Sequence, residues 1–336
     1  MKQLTINKDA AGQRFDKYLK RLFYKAPPGF VYKMLRKKNI VLNGRKASGD
    51  LIISEGDEVT FFLSDETFCK FKRDDYKNVK FNEIKPKIIA ETNDLLIINK
   101  PAGLLSQKSK PEDRSVNDFI IAYLIEKGGV TADSLANVRP AICNRLDRNT
   151  SGIVVAGKTL KGLRAGSELF RNRELGKYYL CLTVGELDSG DWTSVSAFID
   201  KDERSNKSEI IINNNINANR REAGELVPIK MEYRFIAAGE GVTLAEVKLL
   251  TGKSHQIRAY FASLGHPLEG DIKYGAKTST TFGYYLHSYK LVMPEKTDLE
   301  ELSGKTLIAP LPDKFSNRLR GIKWQHGAQE VCGVLT

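Results

Sequence analysis

Short apolar runs with the length of β-strands recur along the chain beyond residue 87, and few helices separate them. Six runs predict strands, at residues 88–90, 95–99, 178–184, 229–236, 242–249 and 286–292. Three helices are predicted among them: one follows Ser115, with apolar residues every three or four positions, one spans 160–173, and one has the apolar stripe Ile257, Phe261 and Leu264. Strands in neighbouring pairs with few intervening helices indicate an α+β fold, with a mixed, largely antiparallel central sheet and flanking helices.

The first 64 residues differ from the rest of the chain in charge and in pattern. They carry 13 Lys and Arg against 6 Asp and Glu, so +7 of the total net charge of +12 lies there. An apolar stripe that begins at Phe15 predicts one helix, and a second short helix is predicted at 30–37. Strands are predicted on either side of the turn-forming pair Asn43-Gly44. These patterns predict a small α/β domain over residues 1–64.

Six cationic residues of this domain cluster at the end of its second helix and after its turn. This basic cluster consists of Lys33, Arg36, Lys37, Lys38, Arg45 and Lys46. Lys-rich faces are most often only solvated, so charge alone leaves that alternative open. The ordered string F-V-Y-K-M-L-R-K-K-N-I-V-L-N-G-R-K, with G-D-E-V after it, resembles the RNA-binding domain first known from ribosomal protein S-four. The resemblance implies that the basic cluster contacts RNA, where neutralised phosphates release their counterions.

Several classes of site lack support in the sequence. The four cysteines and four histidines show no C-x-x-C or H-E-x-x-H spacing, so no metal site is expected. The stretch T-G-K-S at 251–254 lacks the first glycine of a phosphate-binding loop, so no nucleotide cofactor is expected. No apolar stretch is long enough to span a membrane, and the N-terminus lacks a signal-peptide pattern. We therefore expect a cytoplasmic protein without a membrane partner.

Three short segments carry side chains that could perform chemistry. In N-R-L-D-R-N-T-S-G, Arg145 and Asp147 lie on one side of an extended chain, just before an apolar run. A lone carboxylate there can act as a nucleophile or base, but a structural Arg–Asp ion pair is an equal alternative. In T-G-K-S-H-Q-I-R, His255 and Arg258 share a face at a helix start, where Arg258 could keep a carboxylate ionised. Tyr179, in a predicted strand, could stack on a base or pack in the core.

The segments R-L-D-R-N-T-S-G, K-Y-Y-L-C-L-T, T-G-K-S-H-Q-I-R and G-H-P-L-E-G-D-I-K-Y-G closely resemble, in order and spacing, the RluA family of pseudouridine synthases. The resemblance covers about residues 13–294 and implies an enzyme that isomerises uridine to pseudouridine in RNA without a cofactor. It implies Asp147 as the catalytic nucleophile, and Tyr179 and Arg258 as further catalytic residues, with Arg258 paired to Asp147. It also implies substrate contacts from Arg145, Leu146, Lys177, His255 and Ile257.

The resemblance also suggests how the chain is organised and what it binds. It implies an RNA-binding domain, a linker, a catalytic domain and a short tail, at 1–64, 65–87, 88–328 and 329–336. Large-subunit (23S) ribosomal RNA is the expected partner of a monomeric enzyme, and transfer RNA is an alternative. A non-catalytic RNA-binding or ribosome-assembly factor would be expected to have lost Asp147, Tyr179 or Arg258. An RNA hydrolase would cleave the strand or release uracil. A polar, Asn-rich stretch at 201–225 is predicted to form an extended hairpin or loop.

Overall fold

The computed structural model describes residues 1–8, 10–72, 86–110, 112–130, 135, 138–187, 190–202, 207–211, 226–281 and 283–335. Its N-terminal part contains β1 (Lys2–Thr5), α1 (Phe15–Leu22), α2 (Phe30–Arg36), β2 (Ile40–Leu42), β3 (Glu58–Phe61) and α3 (Asp65–Phe71). The strands form an antiparallel sheet in the order β1-β3-β2. Asn43 and Gly44 form the predicted turn, with φ of 50° and 72°, between Leu42 and Arg45, which exchange two backbone hydrogen bonds. Sequence patterns did not predict β1, because Leu4 is the one apolar residue among its four positions.

Aromatic packing extends the core of this module beyond the predicted boundary at residue 64. Phe23 contacts the rings of Phe61 and Phe68 edge-on, at centroid distances of 5.7 and 5.3 Å. Phe68 belongs to α3, so the beginning of the stretch interpreted as a linker, 65–87, is part of the folded module. The polar composition concealed this helix because Phe68 is its one buried residue. Residues 73–85 of the predicted linker lie outside the described residues.

The other strands form one sheet of 11 strands. They are β4 (Lys87–Glu91), β5 (Leu95–Lys100), β6 (Ala141–Ile142), β7 (Ser151–Gly157), β8 (Gly176–Val184), β9 (Thr193–Asp202), β10 (Lys207–Ile211), β11 (Val227–Gly239), β12 (Val242–Leu249), β13 (Leu286–Val292) and β14 (Thr306–Ile308). Their order is β10-β9-β11-β12-β8-β13-β7-β5-β4, with β14 beside β13 and β6 beside β7. Among the described pairings only β13–β7 is parallel, which confirms the predicted mixed, largely antiparallel sheet. β9 and β10 pair antiparallel where the Asn-rich region begins, and 203–206 and 212–225 of that region lie outside the described residues.

Helices cover both faces of this sheet, which confirms the α+β class. They are α4 (Val116–Glu126), α5 (Leu160–Arg171), α6 (Gln256–Ser263), α7 (Asp313–Arg320) and α8 (Ala328–Leu335). Alternate residues of β5 and β8 divide the core, with α4 and α6 on one face and α5, α7 and α8 on the other. Residues 329–335 of the predicted tail belong to α8, which buries Val331 against the sheet. None of the helices in the described residues is long and apolar enough to cross a bilayer.

The parallel pairing of β7 with β13 brings together the segments that carry the predicted chemistry. Gly152 makes this close approach possible, because its φ is 112° and a Cβ there would overlap the backbone of Ser288. The loop before β7 carries Asp147, β8 on the other side of β13 carries Tyr179, and α6, which carries Arg258, begins beside them.

Candidate active site

Asp147 lies in the loop that connects β6 to β7, and hydrogen bonds hold this loop on two sides. The Asn144 side chain accepts a hydrogen bond from the Val155 N–H of β7 at 2.8 Å. On the other side, Ser106 Oγ accepts from the Leu146 N–H at 3.0 Å and donates to the Leu146 carbonyl at 2.7 Å. The carboxylate of Asp147 is therefore presented by a fixed backbone.

Lys100, at the end of β5, supports the same loop from inside the protein. Its ammonium group donates to the carbonyl oxygens of Pro101, Leu104 and Arg148 at 3.1, 2.8 and 3.0 Å. Burial lowers the pKa of the Lys100 ammonium to about 7, although the charge of Asp147 opposes the shift. Sequence reasoning missed this residue, since one lysine at a strand end has no periodic signal.

Arg258, on the first turn of α6, connects two carboxylates that are distant in sequence. Its Nη1 donates to Asp147 Oδ2 at 3.2 Å, which agrees with the pairing that the family resemblance implied. Its Nε and Nη2 donate to the two carboxylate oxygens of Asp271 at 2.7 and 2.9 Å. Because Asp271 takes the bidentate contact, Arg258 offers Asp147 one N–H group. Sequence reasoning missed Asp271, although the motif G-D-I-K-Y-G contains it.

The surroundings of Arg258 keep its guanidinium charged in a buried position. Burial by itself lowers the pKa of Arg258. The hydrogen bond to Asp271 and the electrostatic interactions with Tyr284, Asp271 and Asp147 raise it, and they leave the pKa above its ordinary value. The rings of Tyr284 and Tyr274 lie 4.2 and 4.9 Å from the guanidinium carbon. The cation is thus a permanent partner for the Asp147 carboxylate.

His255 stands immediately before α6 and faces the same carboxylate. Its Nε2 is 3.8 Å from Asp147 Oδ2, and its Nδ1 is 2.9 Å from the hydroxyl of Tyr274. The backbone of His255 has φ of 58°, the left-handed conformation that costs a non-glycine residue about 1–3 kcal/mol. Burial is the main cause that lowers the pKa of the His255 imidazole from its ordinary value.

Tyr179, Leu146 and Ile257 form an apolar wall beside the carboxylate. All three are buried members of one core cluster, with exposed fractions of 9%, 8% and 4%. Burial raises the pKa of the Tyr179 hydroxyl to about 12, while a hydrogen bond to the Ser288 side chain works in the opposite direction. The tyrosine is therefore a neutral ring beside a charged pair, and core packing and stacking on a base are both compatible with its position.

A cleft of about 960 Å³ opens above this arrangement. All eight residues that the sequence predicted for the catalytic domain line it: Arg145, Leu146, Asp147, Lys177, Tyr179, His255, Ile257 and Arg258. Further cations of the lining are Lys108, Arg148, Arg171, Arg173, Lys253 and Lys273. The basic cluster of the N-terminal module does not line this cleft. Within the described residues, no three His, Cys, Asp or Glu side chains come together as metal ligands would.

Residues 94–263, which include Asp147 and Arg258, match the model of a protein family described as RNA pseudouridylate synthase. This range is half of the chain and holds the loop, the strand and the helix that form the cleft. The chain belongs to the RNA pseudouridylate synthase family. The family predicted from the motifs is thereby confirmed, and the chain is an enzyme that isomerises uridine to pseudouridine in RNA.

Similar proteins and structures extend over most of this pseudouridylate synthase. A Rickettsia bellii protein named ribosomal large subunit pseudouridine synthase C is 30% identical over 322 residues, which are 93% of this chain and 99% of the relative. A Mycoplasma capricolum RNA pseudouridine synthase is 26% identical over 325 residues, which are 95% of this chain and 100% of the relative. The structure of human RNA pseudouridylate synthase domain containing 4 has a TM-score of 0.56 and 22% identity, and the similarity covers 71% of this chain and 93% of that one. This last similarity concerns the fold alone.

Proposed function

We propose that this enzyme converts specific uridines of large-subunit ribosomal RNA to pseudouridine, with Asp147 as the catalytic nucleophile. One observation carries the assignment of Asp147: of the two carboxylates that pair with buried Arg258, Asp147 is the one that lines the cation-rich cleft. The large-subunit substrate follows the name of the Rickettsia bellii relative, which the chain matches over nearly its whole length. The proposal includes the expectation that the enzyme acts as a cytoplasmic monomer.

The reaction exchanges bonds without a net gain or loss of atoms. The bond between ribose C1′ and N1 of uracil breaks, the base turns, C5 bonds to C1′, and the hydrogen of C5 is replaced by one on N1. Asp147 would act either on C6 of the base or at the sugar, since an ionised carboxylate can serve as the nucleophile in both routes. Arg258 would keep that carboxylate ionised and oriented, because its Nη1–H points at Oδ2.

Access to the uridine requires that the nucleotide leaves its stack. Flipping costs about a few kcal/mol, which contacts in the cleft must offset. Tyr179, at the wall of the cleft, would stack on the base, and exposed Arg145 would fill the space that the uridine leaves. Leu146 and Ile257 would make apolar contacts to the base, while Lys177 and His255 would contact the flipped nucleotide or its neighbours.

We expect the purified protein to form pseudouridine in large-subunit ribosomal RNA from cells that lack this enzyme. Mapping of pseudouridine in total RNA, before and after incubation with the protein, identifies the uridine. The product must have the mass of the substrate, because the reaction is an isomerisation. Modification of transfer RNA alone would contradict the substrate, release of uracil would indicate a hydrolase, and RNA binding without product would indicate a non-catalytic factor.

The N-terminal module is proposed to bind RNA through the basic cluster. All six of its side chains are exposed, and within the described part of the chain none of them forms an ion pair. They occupy the end of α2 and the residues around the turn before Arg45, so their charge is concentrated in one short segment. Proteins recognise structured RNA largely through its phosphates and its shape. A cluster of exposed cations can make such phosphate contacts.

Salt dependence tests this contribution. We expect replacement of Lys33, Lys37, Lys38 and Lys46 by Gln to weaken RNA binding and to make its salt dependence shallower. Each lost phosphate contact reduces the slope of log binding constant against log salt by about 0.7–0.9. A matched control replaces four exposed lysines elsewhere, Lys296, Lys305, Lys314 and Lys323, with the same change in net charge. Equal slopes for the two variants would contradict an RNA contact by the basic cluster.

A further inference from the structure

A chain of hydrogen bonds runs from the edge strand β10 to the imidazole that faces Asp147. The backbone N–H of Ser208 donates to the hydroxyl oxygen of Tyr274 at 2.8 Å. The same hydroxyl lies 2.9 Å from Nδ1 of His255, and the opposite nitrogen, Nε2, is 3.8 Å from Asp147 Oδ2. Four residues from separate segments thus form one line that ends at the proposed nucleophile.

The position of the hydrogen on the imidazole depends on which partner the Tyr274 hydroxyl donates to. A tyrosine hydroxyl has one hydrogen to donate, and the N–H of Ser208 already approaches its oxygen as a donor. The Ser208 hydroxyl donates its own hydrogen to the carbonyl of Ser254 at 3.1 Å. The hydroxyl hydrogen of Tyr274 can then go to Nδ1 of His255 or to the side-chain oxygen of Ser208, which also contacts this hydroxyl. In the first case Nδ1 is the acceptor. A neutral imidazole that accepts at Nδ1 carries its hydrogen at Nε2.

We propose that His255 is a fixed, neutral hydrogen-bond donor in the reaction: Tyr274 and Ser208 keep its hydrogen on Nε2, and this N–H binds a carbonyl oxygen of the uracil while the base is detached from the ribose. The proposal rests on the proposed function. The sequence predicted only that His255 contacts RNA. The proposal assigns that contact to Nε2 and to the stage at which the base is detached. Tyr274 then acts as a positioning residue.

The chemistry of the detached base calls for such a donor. When the bond between C1′ and N1 breaks, its electron pair remains with the base and is shared with the carbonyl oxygens of uracil. A donor placed in advance stabilises this charge more than it stabilises the neutral base, and so it accelerates the step. At 3.8 Å the Nε2–H is too far from Asp147 for a hydrogen bond, so it is available to the substrate.

The groups around the imidazole favour its neutral form. Burial lowers its pKa, the charges of Arg258 and Lys273 act in the same direction, and the charges of Asp147 and Asp271 act against it. The hydroxyl of Tyr274, the other titratable group in contact, stays protonated because burial raises its pKa. The backbone of His255 is left-handed, with φ of 58°. Strained conformations of this kind concentrate at functional sites, so this backbone also supports a functional role for the side chain.

The tautomer is measured directly by long-range ¹⁵N–¹H correlation spectra of the full-length protein with ¹⁵N-labelled histidine. His255 is assigned by comparison with His255→Gln, and His326→Gln, at an exposed position, is the matched control. We expect neutral His255 with hydrogen on Nε2 at pH 7.5, and a mixture of tautomers in Tyr274→Phe. Hydrogen on Nδ1, as would follow if Tyr274 donated to Ser208 Oγ, or a charged ring, would overturn the proposal.

Single-turnover kinetics test the donor itself. We expect His255→Leu to slow pseudouridine formation by about 100-fold, as loss of one such donor does, with RNA affinity nearly unchanged. His255→Gln retains an N–H donor and should recover part of the rate, whereas His326→Gln should match the wild type. A wild-type rate in His255→Leu would overturn the proposal. A wild-type protein that forms no pseudouridine would refute the proposed function, while the spectra would still report the tautomer.

Discussion

Replacement of Asp147 by Asn is expected to abolish pseudouridine formation and to leave RNA affinity nearly unchanged. An amide of the same shape cannot act as a nucleophile, and removal of a nucleophile costs on the order of 10⁴-fold or more in rate. The fold should persist, because Asp147 is partly exposed and Arg258 keeps its bidentate partner Asp271. Release of tritium from RNA labelled at C5 of uridine measures the loss, and filter binding measures the affinity.

A matched change elsewhere separates this effect from a general loss of negative charge. Asp298 is exposed, and Asp298→Asn makes the same chemical change away from the cleft. We expect this control to release tritium at the wild-type rate. If Asp147→Asn did the same, Asp147 could not be the nucleophile, and the Arg258–Asp147 pair would be only structural.

The motifs predicted the position of the site well because each of them is local in sequence. R-L-D and H-Q-I-R each bring their side chains onto one side of a short segment, and the structure joins Asp147 to Arg258 at 3.2 Å. Lys100 and Asp271 could not be predicted in the same way. Their roles depend on tertiary contacts, with three carbonyls in one case and a guanidinium in the other. A single charged residue in the sequence does not reveal such partners.

The fold shows the same division between local and tertiary information. Long strands such as β8 and β12 were predictable because most of their residues are buried. The helix α3 was not, since six of its seven residues are polar or incompletely buried and Phe68 is the one that is buried. The helix α8 was also missed, because Val331 is buried only by its tertiary contact with the face of the sheet that also carries α7. Short helices with one fully buried residue are therefore difficult to predict from sequence patterns.

Replacement of Arg258 by Met is expected to have two effects: loss of activity and a lower stability of the fold. Asp271 is 2% exposed and both of its oxygens bind Arg258, so the change leaves a buried carboxylate without its partner. Breaking one half of a buried ion pair costs about 3–5 kcal/mol in the free energy of unfolding. Urea unfolding measures this loss, and single-turnover kinetics measure the activity.

A second substitution separates the two effects. In Arg258→Met with Asp271→Leu, both charges are gone, and replacement of a complete buried pair by apolar residues is often nearly neutral. The methionine can pack between the rings of Tyr274 and Tyr284, which lie 4.9 and 4.2 Å from the guanidinium carbon. We therefore expect the double variant to recover most of the stability and none of the activity, because Asp147 still lacks its N–H donor. An active double variant would mean that Arg258 acts only by balancing Asp271, and that Asp147 needs no cation for the reaction.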